Sequence, residues 1–186
     1  MKVENISNRP HHRVHVVQGE HYVSGDPDTL LTTILGSCVA VCMTDPVRGV
    51  GGMNHFLLPE GRTEGADAGR RYGVNLMELL INDLLRLGAK RERLQAKLFG
   101  GARMFDGLSD VGASNAAFAE KFLRDEGIAV VGSSLGGMEA RRVQFWPTTG
   151  RAQQKTVTDH ADLASLRQRP KPAPAPAVDD GAVELF

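Results

Sequence analysis

Residues 32–59 read TTILGSCVAVCMTDPVRGVGGMNHFLLP, from Thr32 to Pro59. A short apolar and β-branched run, Leu30 to Leu35, breaks at Gly36-Ser37 just before Cys38, and β-branched residues resume from Val39 to Met43. Asp45-Pro46 with Gly49 supplies a turn, and Val50 to Leu58 returns as a strand that carries His55. If this hairpin is centred between Pro46 and Val47, paired residue numbers sum to 93 and Cys38 stands opposite His55. A slip of one residue makes the sum 95 and leaves the two as diagonal neighbours on one face. Their Cβ atoms are then ~5 Å or ~7 Å apart, respectively. An even sum places them on opposite faces. Spacing thus permits a thiol and an imidazole to meet.

Outward from this hairpin, Val14, Val16-Val17 and Tyr22-Val23 predict two short strands or one bent one, followed by a turn over Ser24 to Asp28. Residues 60–71, EGRTEGADAGRR, are polar and Gly-rich and read as an exposed loop. Val74, Met77, Leu80-Ile81, Leu84 and Leu87 mark one face of a helix that Gly88 closes. Leu94 to Phe99 alternates as a strand. Ser114 is placed to cap a second helix over Asn115 to Glu126, with Phe118 and Phe122 one turn apart. Strands follow at Ile128–Gly132, Arg142–Trp146 and Gln153–Val157. The pattern predicts an α+β fold, a layered and sandwich-like β-sheet core flanked by two main helices. Its domain spans residues 13–160, between a loose N-terminus (1–12) and a Pro/Ala-rich disordered tail (161–186).

Composition narrows the function. Lysine plus arginine equals aspartate plus glutamate at 22 each, so the basic excess that phosphate binding needs is missing and nucleic acid is not an expected partner. No apolar run is long enough to span a bilayer, and the N-terminus lacks the apolar segment of a secretory signal, so a cytoplasmic protein without membrane insertion is expected. The two cysteines do not form a disulfide framework. On one strand Cys38 and Cys42 sit ~13 Å apart, beyond bridging distance, and they are too few for a structural zinc site.

A free cysteine is most often a small core hydrophobe, and Cys42, embedded in VAVCM, reads that way. Cys38 differs because Gly36-Ser37 sets it at the start of a strand, after a flexible turn. Backbone N–H groups at Gly36, Ser37 and Cys38 can converge there on an oxyanion. A neighbouring histidine can accept the thiol proton and later protonate a leaving group. Thr32, Thr33 and Ser37 are the candidates to hold that imidazole. This is the composition of a Cys–His hydrolase or acyl-transfer site, in which the thiol is the nucleophile and neither cofactor nor metal is called for. Asn75, Asn115 and Arg103 read as helix-cap or loop hydrogen bonders. Gly100-Gly101 lacks the G-K-[ST] of a phosphate loop.

The segment LGSCVAVCMTDPVRGVGGMNHFLLP resembles the CheD family of chemoreceptor glutamine deamidases. The likeness runs on through Arg71-Tyr72 and Asn75, KLFGGARMF (Lys97 to Phe105), Gly112, Asn115 and Phe118, and the LGG-x-x-x-R-R-V-x-F stretch to Thr149-Gly150. It covers most of residues 20–157. The resemblance implies a nucleophile at Cys38, a histidine at His55 and a third catalytic residue at Thr32, six positions before the cysteine. It further implies hydrolysis of glutamine side chains on the cytoplasmic domains of methyl-accepting chemoreceptors, and in some systems a CheC-type phosphatase as partner. Two other classes fit the same residues. One is an interaction protein whose site only holds a receptor or phosphatase; the other is a cysteine peptidase or transglutaminase.

Overall fold

The computed structural model describes residues 12–58, 64–104 and 110–157, except for the side chains of residues 64–68. The predicted loose segment 1–12, apart from His12, which is the first residue of a strand, and the Pro/Ala-rich tail lie outside the described residues. The elements are β1 (His12–His15), β2 (His21–Ser24), β3 (Thr29–Leu35), β4 (Val39–Asp45), β5 (Val50–Phe56), α1 (Glu64–Arg86), β6 (Gln95–Gly100), α2 (Val111–Asp125), β7 (Ala129–Leu135), β8 (Arg141–Trp146) and β9 (Arg151–Thr156). They form a four-stranded sheet in the order β1-β3-β8-β9 and a five-stranded sheet in the order β2-β5-β4-β6-β7. The expected α+β layered fold is therefore present, with a defined asymmetry. Both helices pack on one face of the five-stranded sheet, and the four-stranded sheet covers the other.

β4 explains why the apolar run VAVCM shows no alternation. Val39, Val41 and Met43 face the helices, packing with Leu76, Met77, Leu80, Ile81 and Leu84 of α1 and with Ala119, Phe122 and Leu123 of α2. Ala40 and Cys42 face the second sheet, where Leu31, Leu35, Val143 and Phe145 meet them. A strand covered on both sides reads as continuous hydrophobicity. Each fully buried Leu, Met or Phe of these layers contributes roughly 1.5–3 kcal/mol.

Three local expectations are corrected. The loop predicted over residues 60–71 is helical from Glu64 onward. A Cβ on Gly73 would press on Leu58 and the Phe118 ring. The buried stripe of α1 runs through Leu76, Met77, Leu80, Ile81 and Leu84, whereas Val74 and Leu87 are exposed. α2 starts a turn earlier than predicted. Asp110, not Ser114, is its cap, accepting the Ala113 N–H at 2.9 Å, and Ser114 falls inside the first turn.

The hairpin turn is held by one carboxylate. Asp45 is fully buried, and its Oδ1 accepts the backbone N–H groups of Val47 and Arg48, both at 3.0 Å. Oδ2 takes the Lys90 N–H at 2.9 Å and the Arg93 guanidinium at 2.9 and 2.7 Å. Burial alone raises the pKa of a carboxyl. Here Arg93 and the three backbone donors outweigh it and hold Asp45 down at about 2. The bridge fastens the β4–β5 turn to the connection between α1 and β6. Arg93→Met leaves that carboxylate uncompensated, and we expect a loss of about 3–5 kcal/mol at neutral pH by urea denaturation. Asp45→Asn added to Arg93→Met is expected to recover much of it, and strict additivity of the two changes would contradict the coupling.

Candidate active site

Gly36, Ser37 and Cys38 carry the chain from β3 in one sheet to β4 in the other. Each of their carbonyls is held. Gly36 O accepts the Ala102 N–H at 2.9 Å, Ser37 O accepts Asn115 Nδ2–H at 2.9 Å, and Cys38 O accepts the Gly101 N–H at 2.8 Å. The Gly100-Gly101 pair makes this approach possible. Gly100 has φ +110°, and a Cβ there would collide with the Cys38 carbonyl oxygen. Asn115 is fully buried on α2, and its Oδ1 accepts the Leu58 N–H at 2.9 Å. It thereby braces the cysteine loop against the end of the strand that carries His55.

The hairpin register is the second of the two considered, with Ala40 opposite His55 and Val39 opposite Phe56. Cys38 is therefore a diagonal neighbour of His55 on the inter-sheet face. His55 Nδ1 lies 2.9 Å from Thr33 Oγ1 and 3.3 Å from Val16 O. The Thr33 hydroxyl donates its one hydrogen to Val16 O at 2.8 Å, so it must accept from the ring. That fixes the proton on Nδ1. Nε2 is left with its lone pair, buried and without a hydrogen-bond partner among the described residues. A buried basic nitrogen without a partner, on the face that also carries a thiol, has its lone pair available to a proton.

Burial keeps both groups neutral at rest. It pushes the Cys38 thiol up to about 12, opposed by the residue's own backbone N–H. His55 is held down at about 4, chiefly by burial, with Val16 O opposing and His15 assisting. The thiol itself donates to Gln18 Oε1 at 3.6 Å. Tyr72 is raised by burial and, secondarily, by Cys38. Cys42 is buried in the same layer, where desolvation raises its thiol despite Lys97 across the strand pair. It stands as the core residue the sequence suggested. Among the described residues, no three His, Cys, Asp or Glu side chains group as metal ligands do.

Of the predicted set, Cys38 and His55 share one face, and Gly36 and Ser37 form the loop at the thiol. Thr32 is elsewhere. Strand alternation turns it to the other side of β3, where its hydroxyl lies 3.3 Å from His15 Nδ1. The hydroxyl that reaches His55 belongs to Thr33. Thr32 acts near the site through its backbone, since its carbonyl accepts the Val16 N–H at 2.9 Å. Asn115, read from the sequence as a helix-cap or loop hydrogen bonder, bonds the cysteine loop and Leu58 N–H, whereas the sequence reading did not find Gln18.

His55 takes up a proton near pH 6.5 when unfolded but only near pH 4 when folded. Unfolding therefore binds protons in that window, and stability is present above it and falls as pH drops through it. We expect about 3 kcal/mol to be lost between those limits. Urea midpoints measured across the window check this, and His55→Asn should flatten the slope.

The model of the CheD family, described as chemotactic sensory transduction, matches residues 57–156, which begin two positions after His55 and run to the end of β9. A protein of Caulobacter sp. (strain K31) named probable chemoreceptor glutamine deamidase CheD is 60% identical over 176 residues, covering 94% of this chain and 93% of its own length. The proteins of the same name from Caulobacter vibrioides (strain NA1000 / CB15N) and Rhizobium rhizogenes (strain K84 / ATCC BAA-868) are 62% and 58% identical, each over 94% of this chain and over 93% and 96% of their own lengths. Among solved structures, the Bacillus licheniformis hypothetical protein YfiH aligns with a TM-score of 0.40 and 14% identity, over 61% of this chain and 49% of that one. Matched by the family model over more than half its length, and by relatives almost end to end, the chain belongs to the CheD family.

Proposed function

We propose that the protein is a glutamine deamidase acting on the cytoplasmic domains of methyl-accepting chemoreceptors, with Cys38 as nucleophile and His55 as acid–base. The observation that carries this reading is the bare Nε2 of His55, tautomerically fixed and buried on the face of the Cys38 thiol. The names of its relatives supply the substrate class.

The chemistry follows from the resting state. His55 Nε2 takes the thiol proton as a substrate carboxamide excludes the remaining water. The thiolate then attacks the carboxamide carbon. A C–S bond forms and the carbonyl electron pair moves to oxygen, where the backbone N–H of Cys38 faces it. Collapse breaks the C–N bond, and the imidazolium protonates departing ammonia. Water, deprotonated by His55, hydrolyses the thioester and leaves glutamate. Thr33 holds the ring through Nδ1, and Thr32 holds Val16, the other acceptor at that nitrogen. Conversion of receptor glutamines to glutamates adjusts receptor signalling in the cytoplasm, and a CheC-type phosphatase is the further partner where one occurs. No helix of the described residues is long and apolar enough to cross a membrane.

Two measurements test the reading. Cys38→Ala should lower ammonia release from receptor fragments by more than about 10³-fold and abolish the accompanying gain of about one dalton. Full activity in that variant ends the assignment, and backbone cleavage or cross-linked product in the wild type points to a peptidase or a transglutaminase. Restored signalling by Cys38→Ala in a deletion strain would instead mark an interaction protein. Thr33→Val should slow turnover by ~10–100-fold, from about 1–3 kcal/mol of lost orientation and an unpaired ring nitrogen. Wild-type turnover in Thr33→Val beside an inactive Thr32→Val would overturn the role given to Thr33.

A further inference from the structure

Among the described residues, Gln18 is the side chain with a hydrogen bond to the Cys38 sulfur. Gln18 Oε1 accepts the Cys38 thiol hydrogen at 3.6 Å. Gln18 lies in a turn between β1 and β2, closed by the Glu20 N–H on Val17 O at 3.1 Å, with Gly19 at φ +90°. The turn is fastened on both sides of His55. The Gly19 N–H donates to His55 O at 2.8 Å, and the His55 N–H donates to Glu20 O at 3.0 Å. The strand residue that carries the imidazole thus also fixes the backbone that carries the carboxamide.

A carboxamide has an acceptor end and a donor end, and a half-turn about its last bond exchanges them. Against a neutral thiol the oxygen faces sulfur, as it does here. Against a thiolate or a tetrahedral oxyanion, the –NH₂ end is the favourable one. An oxyanion is held best by more than one donor, and a side-chain N–H beside the backbone N–H groups of the Gly36–Cys38 loop supplies a further one. The N–H groups of Gly101 and Ala102 and the Asn115 amide are already committed to the carbonyls of Cys38, Gly36 and Ser37. The backbone N–H of Cys38 lowers the thiol pKa, as a donor near the sulfur does.

We propose that Gln18 is a catalytic residue whose side-chain N–H, together with the backbone N–H of Cys38, binds the oxyanion formed when the substrate carboxamide is attacked. In that step the new C–S bond draws its pair from the thiolate and the carbonyl π pair moves to oxygen. Gln18 transfers no proton and is unchanged afterwards. The assignment rests on Cys38 being the nucleophile of a deamidase.

The test compares steady-state ammonia release from a receptor cytoplasmic fragment by wild type, Cys38→Ala, Gln18→Ala and Gln18→Glu. The expected result is a fall in kcat of ~10²–10³-fold in both Gln18 variants, with KM changed by less than about threefold. Gln18→Glu matters most, because it keeps the shape and an acceptor oxygen but loses the donor, and it covers the case in which Gln18→Ala misfolds. A kcat in Gln18→Glu within about twofold of wild type overturns the proposal. So does a rise in kcat in Gln18→Ala, which would make the carboxamide an obstruction over the thiol. If wild type releases no ammonia, or Cys38→Ala keeps its rate, the deamidase reading fails and takes this one with it. Failure at Gln18 alone leaves Cys38 and His55 standing.

Discussion

The site depends on three carbonyls being turned away from one sulfur. Gly36 O, Ser37 O and Cys38 O are bound by Ala102 N–H, Asn115 Nδ2–H and Gly101 N–H, and this fixes the crossing of the chain between two sheets. A buried carbonyl left unbound would cost roughly 1–3 kcal/mol, so the loop is not free to rotate its peptide planes. Asn115 has the widest reach of the three donors. By bonding both Ser37 O and the Leu58 N–H, it ties the thiol and the imidazole strand to one helix. The glycines of KLFGGA and the asparagine on α2 thus act on a cysteine some sixty to eighty positions earlier in the chain, and do so by hydrogen bonding.

Burial then decides the resting charge. With the thiol up at about 12 and the imidazole down at about 4, the pair is neutral in the free protein. Low dielectric disfavours both charged forms unless they arise together. Proton transfer within the pair creates both charges at once, in a place where each is the other's counterion. The hydroxyl of Thr33 and the carbonyl of Val16 on Nδ1 favour that state by accepting from the ring that must become positive.

Much of this was legible in the residues. The turn at Asp45-Pro46 and the strand pair followed from turn chemistry, and period-two arithmetic permitted a shared face for Cys38 and His55 without requiring it. The register between two permitted values did not follow, because β4 and β5 are buried on both faces and apolar residues there carry no sign of which side is which. For the same reason TLLTTIL, buried along its whole length, could not say whether Thr32 or Thr33 faces the five-stranded sheet. The start of α1 was hidden by the polar, glycine-containing run EGADAGRR, and the α2 cap by a second good capping residue four positions downstream. Gln18 was silent because nothing local marks a polar turn residue as the neighbour of a thiol twenty positions on.

His55 belongs to the five-stranded sheet and Thr33 to the four-stranded one. Their 2.9 Å contact therefore spans the inter-sheet core and acts as a caliper on its thickness. Packed sheets lie ~10 Å apart at a distance set by the side chains between them. Leu35, Met53, Val143 and Phe145 fill that layer. A substitution among them that thickens the layer by a few tenths of an ångström lengthens the caliper first, while the fold still closes around it. Core volume in this protein is thus a setting for the orientation of an imidazole as well as a contribution to stability.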